Sequence, residues 1–142
     1  MKIQSLYNLA DQQNIEVLTF PLPHNGSLSL MDGTGRCSIG MDESVQDGGA
    51  LERVHLAHEL GHCTTGSFYS IHTAVDTRQR HEYRADKWAV TTLIPADRLD
   101  DAIASGCTEL WELAERFGVT EQFMRKAVSY HVHGNLAAEL YF

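Results

Sequence analysis

Two histidines and a glutamate stand at spacings that suit a catalytic metal ion. His58, Glu59 and His62 occur in the run His-Glu-Leu-Gly-His. On an α-helix, residues four apart differ by about 40° around the axis, so both histidines project from one face and can bind the same ion. Glu59 lies beside that face, where it can accept a proton from a metal-bound water without becoming a ligand. The chemistry that this pattern indicates is metal-assisted hydrolysis.

A catalytic zinc needs a third protein ligand and leaves one position open for water. One known pattern extends the motif to a third histidine, but this chain has Thr65 where that pattern needs glycine and Phe68 where it needs histidine. The other known arrangement takes a glutamate from a separate helix farther along the chain. The third ligand is therefore expected downstream of the motif.

Glu82 is our prediction for that ligand. It shares a predicted helix face with Ala85, Asp86 and Ala89, and the small residues permit close packing against the histidine helix, where Gly61 also lacks a side chain. Asp86 is predicted to accept a hydrogen bond from the free N–H of a ligating histidine. The ligand set suits Zn²⁺, with Mn²⁺ also possible.

Other polar residues between positions 69 and 83 are candidates for two roles. Substitutes for the third ligand are His72, Asp76 and His81. Candidate donors to the oxyanion of the transition state are Tyr69, His72 and Tyr83, among which the sequence does not choose.

The elements that must position these residues form an α+β pattern. Strands are predicted over 15–20, 27–31 and 36–41, the last two joined in a hairpin through Asp32-Gly33-Thr34-Gly35. Helices are predicted over 2–13, 51–63, 80–93, 96–104, 108–117 and 121–131, with an irregular segment over 64–79. Pro95 forbids continuation of the helix before it. We expect a small antiparallel, three-stranded sheet packed on a mainly helical body with a zincin-like motif helix and a helical C-terminal region.

Length and charge narrow the class of protein. A chain of 142 residues suits one domain over 1–142, with a catalytic core over 1–95 and a helical C-terminal part over 96–142. The net charge of −8 argues against binding to nucleic acid or an anionic membrane. Neither a leader nor a membrane span is apparent, so we expect a cytoplasmic protein with its three cysteines reduced.

The motif and its downstream partner resemble a known family. The run HELGH, followed about twenty residues later by EYRADKWAVTTLIP, is similar to the ImmA/IrrE metallopeptidases of bacteria and phages. The resemblance maps the family's metal ligands onto His58, His62 and Glu82 and its catalytic glutamate onto Glu59. It implies a zinc endopeptidase that cleaves a helix-turn-helix repressor and so releases phage, mobile-element or stress genes.

Two other functions stay open. The C-terminal helices on either side of Gly118 have the outline of a DNA-binding helix-turn-helix, but residues 96–133 contain seven acidic and four basic residues, a net charge of −3. A metal-containing antirepressor that binds its partner without cleaving it would carry the same ligands. For a peptide substrate we hypothesise that residues 36–41 form the sheet edge that receives it.

Overall fold

The computed structural model describes residues 1–68, 74–134 and 136. Within them lie three strands, β1 (Glu16–Thr19), β2 (Ser27–Met31) and β3 (Cys37–Met41). The helices are α1 (Ile3–Gln12), α2 (Ala50–Thr65), α3 (Val75–Leu93), α4 (Ala96–Ala104), α5 (Leu110–Phe117) and α6 (Glu121–His133). The α+β class predicted from the sequence is confirmed.

The sheet has the order β1-β3-β2. β2 and β3 form the predicted antiparallel hairpin, and its turn is stabilised because the Asp32 carboxylate accepts backbone hydrogen bonds from Thr34 and Arg36. β1 pairs with β3 in parallel, so the sheet is mixed, whereas an all-antiparallel sheet was expected. The crossing of the chain between β1 and β2 decides this direction, and the strand pattern alone does not encode it.

The central position of β3 overturns the hypothesis that residues 36–41 receive a substrate. β3 pairs with a strand on each side and so has no free edge. Cys37, Ile39 and Met41 alternate inward and are buried, as expected for a strand with one face on the core. Among the described strands, β2 and β1 are the edges.

One buried apolar cluster contains residues from all six described helices and from β3. Leu56 and Leu60 of α2 are fully buried within it, together with Val90 of α3 and Met124 of α6. The face of α2 opposite the metal motif is therefore held against a packed interior, while His58, Glu59 and His62 line a cleft. This packing limits movement of the two histidines.

Contact between α2 and α3 depends on small residues. A Cβ atom added at Gly61 would lie 2.5 Å from the backbone oxygen of Ala85, a separation that real Cβ atoms do not tolerate. The close packing predicted from Gly61 and Ala85 is confirmed. This close packing brings α3 near the face of α2 that carries His58 and His62. It therefore sets the distance between the backbone of Glu82 and the two histidines.

Two sequence predictions are wrong in their details. α3 begins at Val75, so 75–79 are helical where an irregular segment was expected, because this polar first turn shows no apolar periodicity. Cys37 and Cys63 form a disulfide between β3 and α2, whereas three reduced thiols were expected, and Cys107 is the free cysteine. Their Cα atoms are 5.8 Å apart although they are separated by 26 residues, a proximity that spacing along the chain does not reveal. Cys63 is bonded to Cys37 and does not belong to the metal-binding group.

No helix in the described part of the chain combines the length and the apolar character needed to cross a lipid bilayer.

Candidate metal centre

The side chains of His58, His62 and Glu82 converge between α2 and α3. The Nε2 atom of His58 lies 2.9 Å from one carboxylate oxygen of Glu82, and the Nε2 atom of His62 lies 3.2 Å from the other. Among the described residues these three form the group whose donor atoms can hold one metal ion, all within 4.8 Å of one another. The structure thus brings the three sequence-predicted ligands together.

This donor set fits a catalytic zinc site. Two imidazole nitrogens and one carboxylate are a known zinc set that leaves a position for solvent. The two imidazoles contact different oxygens of Glu82, at 2.9 and 3.2 Å, and one donor atom from each of the three residues lies within 4.8 Å of the others, close enough for one ion to be shared. Nitrogen and oxygen donors also accept Mn²⁺, so the donor chemistry does not select one ion.

Each histidine is oriented by a hydrogen bond from its second ring nitrogen. His58 Nδ1 donates to Asp86 at 2.7 Å, and His62 Nδ1 donates to the backbone oxygen of Ser67 at 2.5 Å. Carboxylate and carbonyl oxygens are acceptors only, so each ring carries a proton on Nδ1, and Nε2, which faces Glu82, is the nitrogen that can bind a metal once it is unprotonated. Asp86 thus lies where the sequence predicted the acceptor for a ligating histidine.

The contact between His62 and Ser67 depends on how α2 ends. Gly66 adopts a positive φ of 66° and turns the chain back, and the Ser67 amide bonds to the backbone oxygen of His62. Ser67 is completely buried. Sequence reasoning missed Ser67, although Gly66 at the helix end was a signal for this reversal.

Hydrogen bonds within the site favour protonation of both histidine rings, and a bound metal would compete with those protons. Burial lowers the pKa of His58, but hydrogen bonds to Asp86 and Glu82 outweigh it and raise the pKa to about 10. For His62, hydrogen bonds to Glu82 and Ser67 likewise outweigh burial and raise the pKa. A metal ligand must be an unprotonated nitrogen, so metal binding at neutral pH is accompanied by proton release.

Glu59 lies next to the three ligands but outside the group that can share the ion. Its side chain is buried, and one carboxylate oxygen accepts a hydrogen bond of 2.8 Å from the Ser27 hydroxyl. Both residues line the same cleft as the three ligands, and its volume is about 540 Å³. Glu59 therefore lies in the cleft with the metal-binding group, and its role as a general base stays a prediction.

The cleft has walls that the sequence did not identify. Residues of β2 and the start of α6 join α2 and α3 around it: Ser27, Leu28, Ser29, Thr120, Gln122, Phe123 and Lys126. Lys126 bonds to Asp86 at 3.3 Å and thereby connects α6 to the support of His58. Ser27 and Lys126 stand 31 and 68 residues from His58, so no local pattern links them to the motif.

The other sequence candidates that the structure describes do not belong to the metal group. Tyr83 is 38% exposed and is not among the residues that line the cleft. His81 and Asp76 lie on α3, but they are not members of the metal-binding group. Tyr69 and His72 lie outside the described residues.

We expect Asp86→Ala to weaken zinc binding about 10–100-fold, because His58 loses the acceptor that fixes its ring and raises its basicity. Competition with a chromophoric chelator measures the change. Asp76→Ala removes a carboxylate from an exposed position of the same helix and should leave affinity unchanged. Equal affinities in the Asp86 variant and the unmodified chain would show that Asp86 does not support the site.

The chain matches a known protein family over most of its length. The model of the family Peptidase_M78, described as the IrrE N-terminal-like domain, matches residues 10–129. The match covers α2 and α3 with all the residues that converge on the cleft. A search of curated protein sequences found no match.

Proposed function

Because the chain belongs to the Peptidase_M78 family, the ImmA/IrrE metallopeptidases, we propose that it is a zinc-dependent endopeptidase that cleaves a helix-turn-helix repressor. The resemblance noted in the sequence is thereby confirmed at the level of the family. The observation that carries the proposal is the convergence of His58, His62 and Glu82 beside Glu59 in an open cleft.

The residues of the cleft have distinct tasks in this reaction. A bound zinc would polarise the scissile carbonyl and make a water molecule acidic enough to react. Glu59 accepts the proton of that water as the new C–O bond forms and then delivers it to the amide nitrogen as the C–N bond breaks. His58 and His62 stay neutral throughout, and their Nδ1–H groups keep donating hydrogen bonds to the Asp86 carboxylate and the Ser67 backbone oxygen.

The substrate backbone is proposed to lie along β2. Among the described strands β2 pairs with β3 alone, and Ser27, Leu28 and Ser29 line the cleft. An extended peptide can add to such an edge through main-chain hydrogen bonds, which hold its backbone next to Glu59 without requiring a particular sequence.

We expect substrate to slow amide hydrogen exchange in residues 27–31. The measurement uses Glu59→Gln, which is intended to bind a peptide without cutting it, with and without substrate. β1 is the second edge strand and serves as the internal control, so residues 16–19 should exchange at the same rate in both samples. Protection of 16–19 in place of 27–31 would contradict docking on β2.

Charge supports a DNA-binding protein as the substrate. Repressors carry a basic surface for phosphate contacts, and this chain has a net charge of −8, which favours encounter with a basic partner. Since repressors act on the chromosome, the proposed site of action is the cytoplasm.

The C-terminal helices favour this assignment over direct DNA binding. α5 and α6 are joined by a tight turn at Gly118, as in a helix-turn-helix. In such a motif the first residues of the second helix contact base edges. Here Gln122, Phe123 and Lys126 of α6 line the cleft instead.

Incubation of the zinc-loaded protein with helix-turn-helix repressors of its own genome tests the proposal. Repressor fragments, identified by mass spectrometry and suppressed by a chelator, are the expected result. A stable complex with an intact repressor would identify a metal-containing antirepressor instead. Salt-dependent binding to duplex DNA by the protein alone would favour a DNA-binding regulator.

A further inference from the structure

A serine and a third histidine form a hydrogen-bond chain that ends on Glu59. The Ser27 hydroxyl lies 2.8 Å from Glu59 Oε2 and 2.7 Å from His55 Nδ1. We propose that Ser27 and His55 are positioning residues, which hold the Glu59 carboxylate in the one orientation that its work as a base requires. The effect on catalysis rests on the proposed peptidase function, whereas the hydrogen-bond chain itself does not.

The direction of each hydrogen bond follows from counting protons. An ionised carboxylate only accepts, so the single hydroxyl proton of Ser27 must point to Glu59. The Ser27 oxygen then faces His55 with a lone pair, and His55 Nδ1 must be the donor. The chain therefore runs from His55 through Ser27 to Glu59 and requires the Nδ1–H form of the His55 ring.

Local structure holds the members of this chain in place. His55 and Glu59 are one turn apart on α2 and share a face, while Ser27 is the first residue of β2 and is buried. Gly26 lets the backbone approach the imidazole, since a Cβ atom there would lie 2.9 Å from His55 Cε1. The ring therefore packs directly against the start of β2.

Electrostatics favour a neutral His55. Burial lowers the pKa of His55, and the opposing negative charge of Glu59 does not reverse this. A neutral imidazole carries one N–H, so donation from Nδ1 leaves Nε2 without a proton. The hydrogen-bond chain thus selects one tautomer.

The two oxygens of the Glu59 carboxylate have different roles in this arrangement. Oε2 is held by Ser27, which leaves Oε1 to accept the proton of the attacking water. That proton moves to Glu59 and then to the leaving amine, while Ser27 and His55 keep their own protons. Neither residue touches the reacting atoms, so each acts through Glu59 by limiting its rotation.

Kinetics of four variants test the catalytic effect. We expect Ser27→Ala and His55→Leu to lower kcat about 10–100-fold with KM and zinc stoichiometry unchanged. His55→Asn, whose amide N–H can replace Nδ1–H, should restore most of kcat. The Ser27→Ala, His55→Leu double variant should be no slower than either single variant, because both act through one chain. Additive losses, or unchanged kcat in the single variants, would overturn the proposal.

A second measurement does not depend on turnover. Long-range proton–nitrogen NMR of zinc-loaded protein with isotope-labelled histidine, recorded above the pKa of His55, reports the tautomer of each neutral ring. The His55 signal is assigned by its absence in His55→Asn. We expect the Nδ1–H form in the unmodified chain and loss of that preference in Ser27→Ala. An Nε2–H form in the unmodified chain would refute the hydrogen-bond chain, whereas Nδ1–H in a protein that cleaves nothing would refute the peptidase function alone.

Discussion

Glu59→Gln should reduce cleavage about 10²–10⁴-fold while the protein still binds one zinc ion, because the amide cannot accept the water proton. The substitution keeps the size of the side chain and an oxygen that can accept from Ser27, so the cleft should keep its shape. Glu59 is also outside the group of ligand atoms, which is why metal binding should persist. The rate of fragment formation and the zinc content of the same sample provide the measurement.

Glu115→Gln is the matched control for this prediction. It makes the same chemical change at an exposed position of α5 that does not line the cleft, and it should cleave at the unmodified rate. If Glu59→Gln cuts the substrate as fast as the control, Glu59 is not the base. If the Glu59→Gln variant instead loses its zinc, then Glu59 is a metal ligand and the assignment of Glu59 as the general base is wrong.

Glu82→Ala should weaken zinc binding by more than about 100-fold, beyond the loss expected for a residue that only supports a ligand. Glu82 contributes the carboxylate that joins His58 and His62, and its removal leaves two neutral donors for a divalent ion. Metal content after dialysis and chelator competition together measure the loss. Activity should fall in parallel and recover at high zinc concentrations.

A substitution at the neighbouring residue His81 of α3 tests whether Glu82 or His81 is the third metal ligand. His81→Ala should bind zinc as well as the unmodified chain, because His81 is not in the group of ligand atoms. The assignment of Glu82 would be wrong if its alanine variant held one zinc ion with normal affinity. Loss of zinc from the His81 variant alone would transfer the role of third ligand to that residue.

Proton release on metal binding follows from the same contacts. In the metal-free arrangement the pKa of His58 is raised to about 10, so its ring is protonated at neutral pH. Zinc affinity is consequently expected to rise with pH until the ring is neutral without metal. Removing Glu82 takes away one of the three carboxylates that raise this pKa, the others being Asp86 and Glu59, so competition by protons should weaken in that variant.

Much of the metal site could be predicted from the sequence because the helix repeat fixes how nearby residues are arranged. His58 and His62 share a helix face because the helix repeat places residues four apart side by side, and this relation needs no information about the fold. Gly61 and Ala85 marked the helices that pack closely, and Pro95 correctly ended α3. Glu82 followed from these features together, because close packing brings the face of α3 within reach of the histidines.

The contacts that surround the ligands were decided by the tertiary structure. The Ser67 backbone oxygen reaches His62 because the chain reverses at Gly66. The residue types along the chain do not indicate which backbone oxygen will accept such a hydrogen bond. Ser27 meets His55 and Glu59 across separations of 28 and 32 residues, and Lys126 meets Asp86 across 40. Such pairs depend on how whole elements pack.

Strand order and cysteine pairing were likewise decided by the tertiary structure and not by local sequence. The edge that borders the cleft is β2 because β1 crosses over to pair with β3 on its other side, and the disulfide forms because β3 and α2 pack together. The sequence by itself determined which residues could hold a metal and on which helices, since the helix repeat acts over a few residues. The packing of sheet against helices determined which polar groups orient those ligands and which strand is open to a substrate, since these relations join residues that lie far apart along the chain.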